Sequence, residues 1–395
     1  MLAAAGVLMI LALFGGKLVN RVHLPSITGW VIVGLLLGPS CLRVLTPEIT
    51  ELLQPIEGLA LAVIALAIGG ELTVRSLKKL GNAIITITWV QMLVTFGLVT
   101  LGTYLACGSW ALAALLGAMS AATAPAATVA VIHELKAKGP FTRTLLAVVA
   151  LDDAFTIVLF GIVMSFVETA LGGSALNVSS LAAPFLEILL STLLGVGAGL
   201  LGVVVLDRLQ HRTEVLPFVL GLALLVGGVA ELFGLSLLLA AMVAGSVIAN
   251  LGKRPRVMFE ALESVEQPIY ILFFSLAGAK LQLGALGAVG LLGISYVLAR
   301  SFGKILGNYL GAWLAKSPEA VRKYLGYAML PQAGVAIGLA IVAFERLPQY
   351  ADVIMTTTLA AVFIYELIGP LAAKYALVKA GEVPQRAEPE VTSTP

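Results

Sequence analysis

Charge is scarce in this chain. Of 395 residues only 12% are Asp, Glu, Lys or Arg, while 59% are hydrophobic; a soluble domain carries about 25% charged residues. So little charge excludes a water-covered globule and points to a polytopic membrane protein. Cysteine is nearly missing too: Cys41 and Cys107 make neither a metal-ligand spacing nor a disulfide framework. The three histidines, His23, His133 and His211, fall in loops or at helix ends and read as solvated groups. A net charge of +2 leaves no nucleic-acid footprint. No basic region precedes the first apolar run, which continues into Lys17 and Arg21, so it reads as a span rather than a cleavable signal. The short alternating segments of a membrane β-barrel are also lacking.

What the chain has is long apolar runs. A hydrocarbon core of about 30 Å takes roughly 20 residues of helix per crossing. On that measure thirteen spans are expected, at 2–20, 25–40, 52–71, 81–106, 110–134, 143–168, 182–207, 214–233, 235–251, 262–281, 284–315, 321–344 and 350–378. Nineteen Lys and Arg fall in the odd-numbered loops and the C-terminal segment, against three in the even-numbered loops. By the positive-inside bias the N-terminus is outside and the C-terminus cytoplasmic, as in a bacterial inner membrane. Only 381–395 (GEVPQRAEPEVTSTP) reads as disordered. No soluble domain is evident, which places any chemistry inside the bilayer.

Two spans carry a break. SAATAPAAT, Ser120 to Thr128, sets Pro125 in the fifth span, and MLPQAGVAIG, Met329 to Gly338, sets Pro331 and Gln332 in the twelfth. Proline removes a backbone hydrogen bond and breaks or kinks a helix. Spans five and twelve are equivalent if two six-span repeats flank span seven, and the odd offset makes those repeats inverted. Interrupted helices at matching places in inverted halves mark the ion site of a secondary transporter, where half-helix dipoles and freed carbonyls serve small ions.

The ionisable residues point to the same depth. ALDDAF, Ala150 to Phe155, puts Asp152 and Asp153 in the sixth span, about 15 Å from its cytoplasmic end. Lys304 lies about 18 Å into the eleventh span from the same side. Intramembrane charges cost about 2.5–3.5 kcal/mol each on insertion scales and call for named partners. Neighbouring helical side chains diverge by about 100°, so one aspartate can pair with Lys304 while the other faces a water-filled cavity. Arg300 shares the face of Lys304, and Glu366 in the thirteenth span is its expected acid partner. A site that holds either a hard monovalent cation or protons is an exchanger.

The residues resemble a known family, the monovalent cation/proton antiporters, and within it the bacterial sodium/proton exchangers of the second branch. The resemblance rests on LPSITGWVIVGLLLGPS in span two, GGEL ending in Glu71–Leu72, the TAP break, LDDAF, FGKILG and the LPQAG break, and covers nearly the whole chain. It implies Asp153 as the cation and proton carrier with Na⁺ as cargo, and Asp152 paired with Lys304 in the ion-free state. It further implies oxygen ligands from Thr123 and its neighbours Ser120 and Ala124, and no cofactor. The family's architecture implies a homodimer, with 1–80 and 214–281 forming the dimerisation domain. Residues 81–171 and 284–378 would form a core that moves as an elevator, and 181–209 a linker helix. PQAG stands where close relatives often carry charge, and Arg300 and Glu366 lie outside the family pattern. The expected activity is electrogenic Na⁺/H⁺ exchange, with Li⁺ as a possible cargo. K⁺/H⁺ exchange at the same residues is the nearest alternative. A passive cation channel and an intramembrane aspartyl protease are distant ones, the protease needing its two acids on separate helices.

Overall fold

The computed structural model describes residues 2–22, 24–71, 74–171, 178–209, 211–281, 283–284 and 290–384. Among the described residues the regular structure is entirely helical. The helices are α1 Leu2–Arg21, α2 Ser26–Leu37, α3 Pro47–Leu52, α4 Gln54–Glu71, α5 Val74–Cys107, α6 Trp110–Ser120, α7 Pro125–Leu135 and α8 Pro140–Ala170. They continue with α9 Val178–Leu206, α10 Arg212–Leu232, α11 Leu237–Leu251, α12 Pro255–Ala279, α13 Gly290–Leu314, α14 Glu319–Ala328, α15 Gly334–Arg346 and α16 Ala351–Lys379.

Each of the thirteen expected spans has its helix or helix pair. Seven segments among the described residues are long and apolar enough to cross a membrane, and α2, α4, α11, α15 and part of α12 are shorter apolar helices. Two boundaries differ most. Helices α5 and α12 begin seven residues before the apolar runs expected at 81 and 262. Their first two turns carry Lys78, Lys79, Arg256 and Glu260. A hydropathy pattern stops where the lipid stops, whereas backbone hydrogen bonding carries on into the interface.

The proline signals act as physics requires. Pro125 and Pro140 open α7 and α8 at the first helical position, where the missing N–H costs nothing. Residues 121–124 and 330–333 are non-helical, so spans five and twelve are each two half-helices, α6/α7 and α14/α15.

Helix packing sorts into two groups. In one, α2 packs on α1 and α12, and α4 on α11, α12 and α10. In the other, α13 packs on α5, α14 and α16, α5 on α6 and α8, and α16 on α14, α15 and α7. Helix α9 runs against α11, α8 and α10. The outer surface is apolar, with Ile10, Phe14, Leu189, Leu193, Leu298 and Phe302 all exposed, as a lipid-facing wall requires.

The expected tail needs correction at its start. Glu382 folds back onto α8, where its carboxylate accepts the Phe141 and Thr142 backbone N–H groups at 2.7 and 2.8 Å and the Thr142 hydroxyl at 2.7 Å. A helix N-terminus presents orphan N–H groups and a positive dipole end, which attract a carboxylate. Residues 385–395, His23 and the side chain of Glu71 lie outside the described residues.

Candidate functional site

The α5–α13 pair is the frame of the site. Gly303 and Gly307 turn towards α5, where a Cβ would come within 2.9 Å of the Thr95 Cα and 2.7 Å of the Gln91 Cα. Only glycine allows that approach, and small residues four apart are the usual means of close helix contact in lipid. The approach brings the polar face of α13, with Arg300, Lys304 and Asn308 all fully buried, against the centre of the bundle.

The two breaks meet there. The Ala124 N–H donates to the Pro331 carbonyl at 2.9 Å, and the Thr128 hydroxyl donates to the Ala328 carbonyl at 3.2 Å. Each break frees carbonyls that would otherwise have been satisfied within a helix. Two cations from α13 take them up.

Lys304 sits at the α6/α7 break. Its ammonium donates to Asp152 Oδ2 at 3.0 Å, Thr123 Oγ1 at 2.8 Å, Gln91 Oε1 at 3.0 Å and the Ala121 carbonyl. Three protons shared among four oxygens leave Lys304 fully coordinated. Gln91 also donates through Nε2 to Asp152 Oδ1, so both oxygens of Asp152 are engaged. Sequence reasoning overlooked Gln91. The signal was available, a lone amide within the apolar stretch Trp89 to Val94.

Asp153 is placed quite differently. It is also buried, at 6% exposure, yet neither carboxylate oxygen has a hydrogen-bond partner. It lines a narrow crevice with Ala150, Ala154 and Ile157 of α8 and Ser236, Leu238 and Met242 at the start of α11. An ionised carboxylate so placed is costly without a counter-ion or a proton. The doublet is therefore divided by helical geometry, Asp152 towards Lys304 and Asp153 towards the crevice.

Arg300 does not pair with Glu366, contrary to the expectation from sequence. Its Nε donates to the Ser120 carbonyl at 2.9 Å, Nη1 to Leu330 at 2.7 Å, and Nη2 to Ala122 at 2.7 Å and Pro331 at 3.5 Å. The guanidinium also lies over the Tyr365 ring, 4.3 Å from its centroid. Depth alone suggested the acid, but a planar fork of five donors matches carbonyls of two broken helices better than one carboxylate does. Glu366 is 3% exposed, and its Oε2 has no partner.

Ser120 and Ala124, expected beside Thr123 as oxygen donors to a cation, have other partners here. The Ser120 carbonyl serves Arg300 and its hydroxyl donates to Gly117 at 2.6 Å; the Ala124 carbonyl accepts from Thr128 at 3.4 Å. Gln332 donates to the Tyr296 hydroxyl at 2.9 Å and the Met119 carbonyl at 3.3 Å, which ties the second break to α13 and α6.

A helical membrane bundle with two interrupted helices, crossing at buried cations and an unpartnered carboxylate, defines an ion-coupled secondary transporter. The comparisons identify the family. The sodium/hydrogen exchanger transmembrane family matches residues 7–379, and this chain belongs to it; it is a transporter and not an enzyme. The chain is 23% identical to the high-affinity Na⁺/H⁺ antiporter NhaS3 of Synechocystis over 98% of its own length and 94% of that protein. Two structures of the sodium proton antiporter MjNhaP1 from Methanocaldococcus jannaschii have the same fold at 19% identity. Their TM-scores are 0.73 and 0.76, covering 97% and 98% of this chain and 98% and 99% of theirs.

Proposed function

We propose that the chain is an electrogenic Na⁺/H⁺ antiporter in which Asp153 carries the cargo and Asp152 holds Lys304. The observation that carries this reading is the asymmetry of the doublet. Asp152 is saturated by Lys304 and Gln91, whereas Asp153 has two free oxygens beside a crevice. A carboxylate with spare oxygens can take a hard cation or a proton, and the two exclude each other. Thr123 and the Ala121 carbonyl, both held by Lys304 at the break, supply further oxygens when the lysine withdraws. If Lys304 gives up its proton on cation binding, more than one proton moves per cation and exchange carries net charge.

Movement follows the two packing groups. Residues 1–80 and 214–281 form the dimerisation scaffold of a homodimer, 81–171 and 284–378 an elevator core, and 181–209 the linker helix between them. The crevice at Asp153 lies where α8 of the core faces α11 of the scaffold, which supports relative motion along that boundary. The basic loops lie on the cytoplasmic side of a bacterial inner membrane and the N-terminus outside. NhaS3, named for Na⁺, supports sodium as cargo; ion competition with Li⁺ and K⁺ tests that choice.

Asp153→Asn is expected to abolish Na⁺-driven proton movement in proteoliposomes while the protein still folds. Full exchange by that variant refutes the assignment. Cation flux without coupled proton movement in the wild type would instead mark a channel.

A further inference from the structure

Helix α2 begins without a cap of its own. Pro25 stands at its N-cap and supplies no side-chain hydrogen bond, so the first-turn N–H groups need an outside acceptor. Glu134, the next-to-last residue of α7, provides one. Its two carboxylate oxygens accept the Ser26 backbone N–H at 2.9 and 3.0 Å, and one of them accepts the Ser26 hydroxyl at 3.0 Å. With its amide turned so that nitrogen faces the acceptors, Asn20 of α1 donates to the same carboxylate at 3.2 Å, and the Ser26 hydroxyl then donates to the Asn20 amide oxygen at 2.7 Å instead.

This cap joins the two packing groups. Helix α7 is one half of a broken helix and packs on α16 in the group that holds the ion residues, whereas α1 and α2 pack with α12 in the other. A cap borrowed from the other group is complete only while the two hold one relative position.

Its place in the bundle is informative. Glu134 precedes Lys136 and Lys138, and Ser26 follows Lys17 and Arg21, so the contact lies at the end of the bundle rich in basic residues. The Asp153 crevice is lined by Ser236 and Leu238, where α11 starts. The boundary is thus fastened at the basic end, while the crevice sits at mid-depth, where Ala150 to Ile157 in the middle of α8 face the start of α11.

We propose that Glu134 is a positioning residue for transport, its contact with the start of α2 acting as a latch that keeps the ion-carrying helices shut at the basic end. The proposal rests on the two-body antiport reading above. Release of cargo at the basic end requires the latch to open, and its closure returns Asp153 to the crevice.

The test bridges the latch. In a Cys41→Ser, Cys107→Ser background, Ser26→Cys and Glu134→Cys are joined by a short bis-methanethiosulfonate reagent, and exchange is measured in proteoliposomes before and after dithiothreitol. Bridging is expected to cut Na⁺/H⁺ exchange at least about tenfold, and reduction to restore the rate of the unbridged variant. Bridged protein that exchanges at the unbridged rate overturns the latch. Wild-type protein that shows no exchange defeats the antiport reading itself, so the two failures are separable. If the bridge does not form, Glu134→Ala and Glu134→Asp decide. Without the latch the population shifts towards the form open at the basic end, so the apparent KM for Na⁺ presented there falls about threefold, and Glu134→Asp recovers most of it. A Glu134→Ala variant with a lowered unfolding temperature but wild-type KM from both sides shows a merely structural cap and refutes the proposal.

Discussion

Lys304 and Arg300 stand four residues apart on one face of α13, both fully buried, and they are held in opposite ways. Lys304 meets a carboxylate, an amide, a hydroxyl and one carbonyl. Arg300 meets only main-chain carbonyls and an aromatic face. An ammonium can shed its proton in a protein, whereas a guanidinium cannot. The permanent cation therefore sits where two broken helices must be kept together, and the exchangeable one sits beside the acids. One neighbour holds the crossing, and on the proposed reading the other competes with the cargo.

The largest effect is expected at the structural cation. Arg300→Met leaves the Ser120, Ala122 and Leu330 carbonyls without their donor, which should cost about 4 kcal/mol, as several buried acceptors left unsatisfied together do. Thermal unfolding of the purified protein reads this, and Arg300→Lys should recover less than half, because a point charge cannot span both breaks. A smaller stability loss, about 3 kcal/mol, is expected for Lys304→Gln, since Asp152 keeps Gln91. Its distinctive consequence is functional: exchange persists but no longer responds to membrane potential, read with a potential-sensitive dye. Equal behaviour of the two variants would break the comparison.

Gly307→Ala probes the frame that both cations share. The new methyl meets the Gln91 Cα at 2.7 Å and should cost about 2 kcal/mol by overpacking, with slower exchange, because Gln91 is pushed off Asp152 and Lys304. The smallest effect belongs to the residue the comparison leaves out. Glu366→Gln should change stability less than any of these, because it keeps the shape of the side chain and Arg300 does not depend on it. A large loss there would restore the acid–arginine pair expected from sequence.

Much of this was legible in the linear chain. The two prolines marked both breaks, and LDDAF with Lys304 marked the depth at which polar groups meet. Gln91 was legible in principle, as one amide in an apolar span, but nothing in its neighbours says that two glycines on another helix draw it to Lys304. Arg300 was recognised as buried and given the wrong partner. Depth in a membrane is one coordinate, and Glu366 shares that coordinate with Arg300 while α16 presents Tyr365 to the guanidinium. Glu134 and Glu382 escaped notice, because a carboxylate that caps a helix elsewhere in the chain looks like any charge at a loop.

By itself the sequence determined the thirteen spans, the two interruptions and the identity of the buried charges, because lipid enforces apolar length and proline enforces a break on the local chain. Only the tertiary structure decided which oxygen each cation holds, which amide joins Lys304 and Asp152, and which helix ends borrow their caps. Those choices depend on helix rotation and on approaches of a few ångströms between segments far apart in sequence, and short-range physics along the chain does not reach that far.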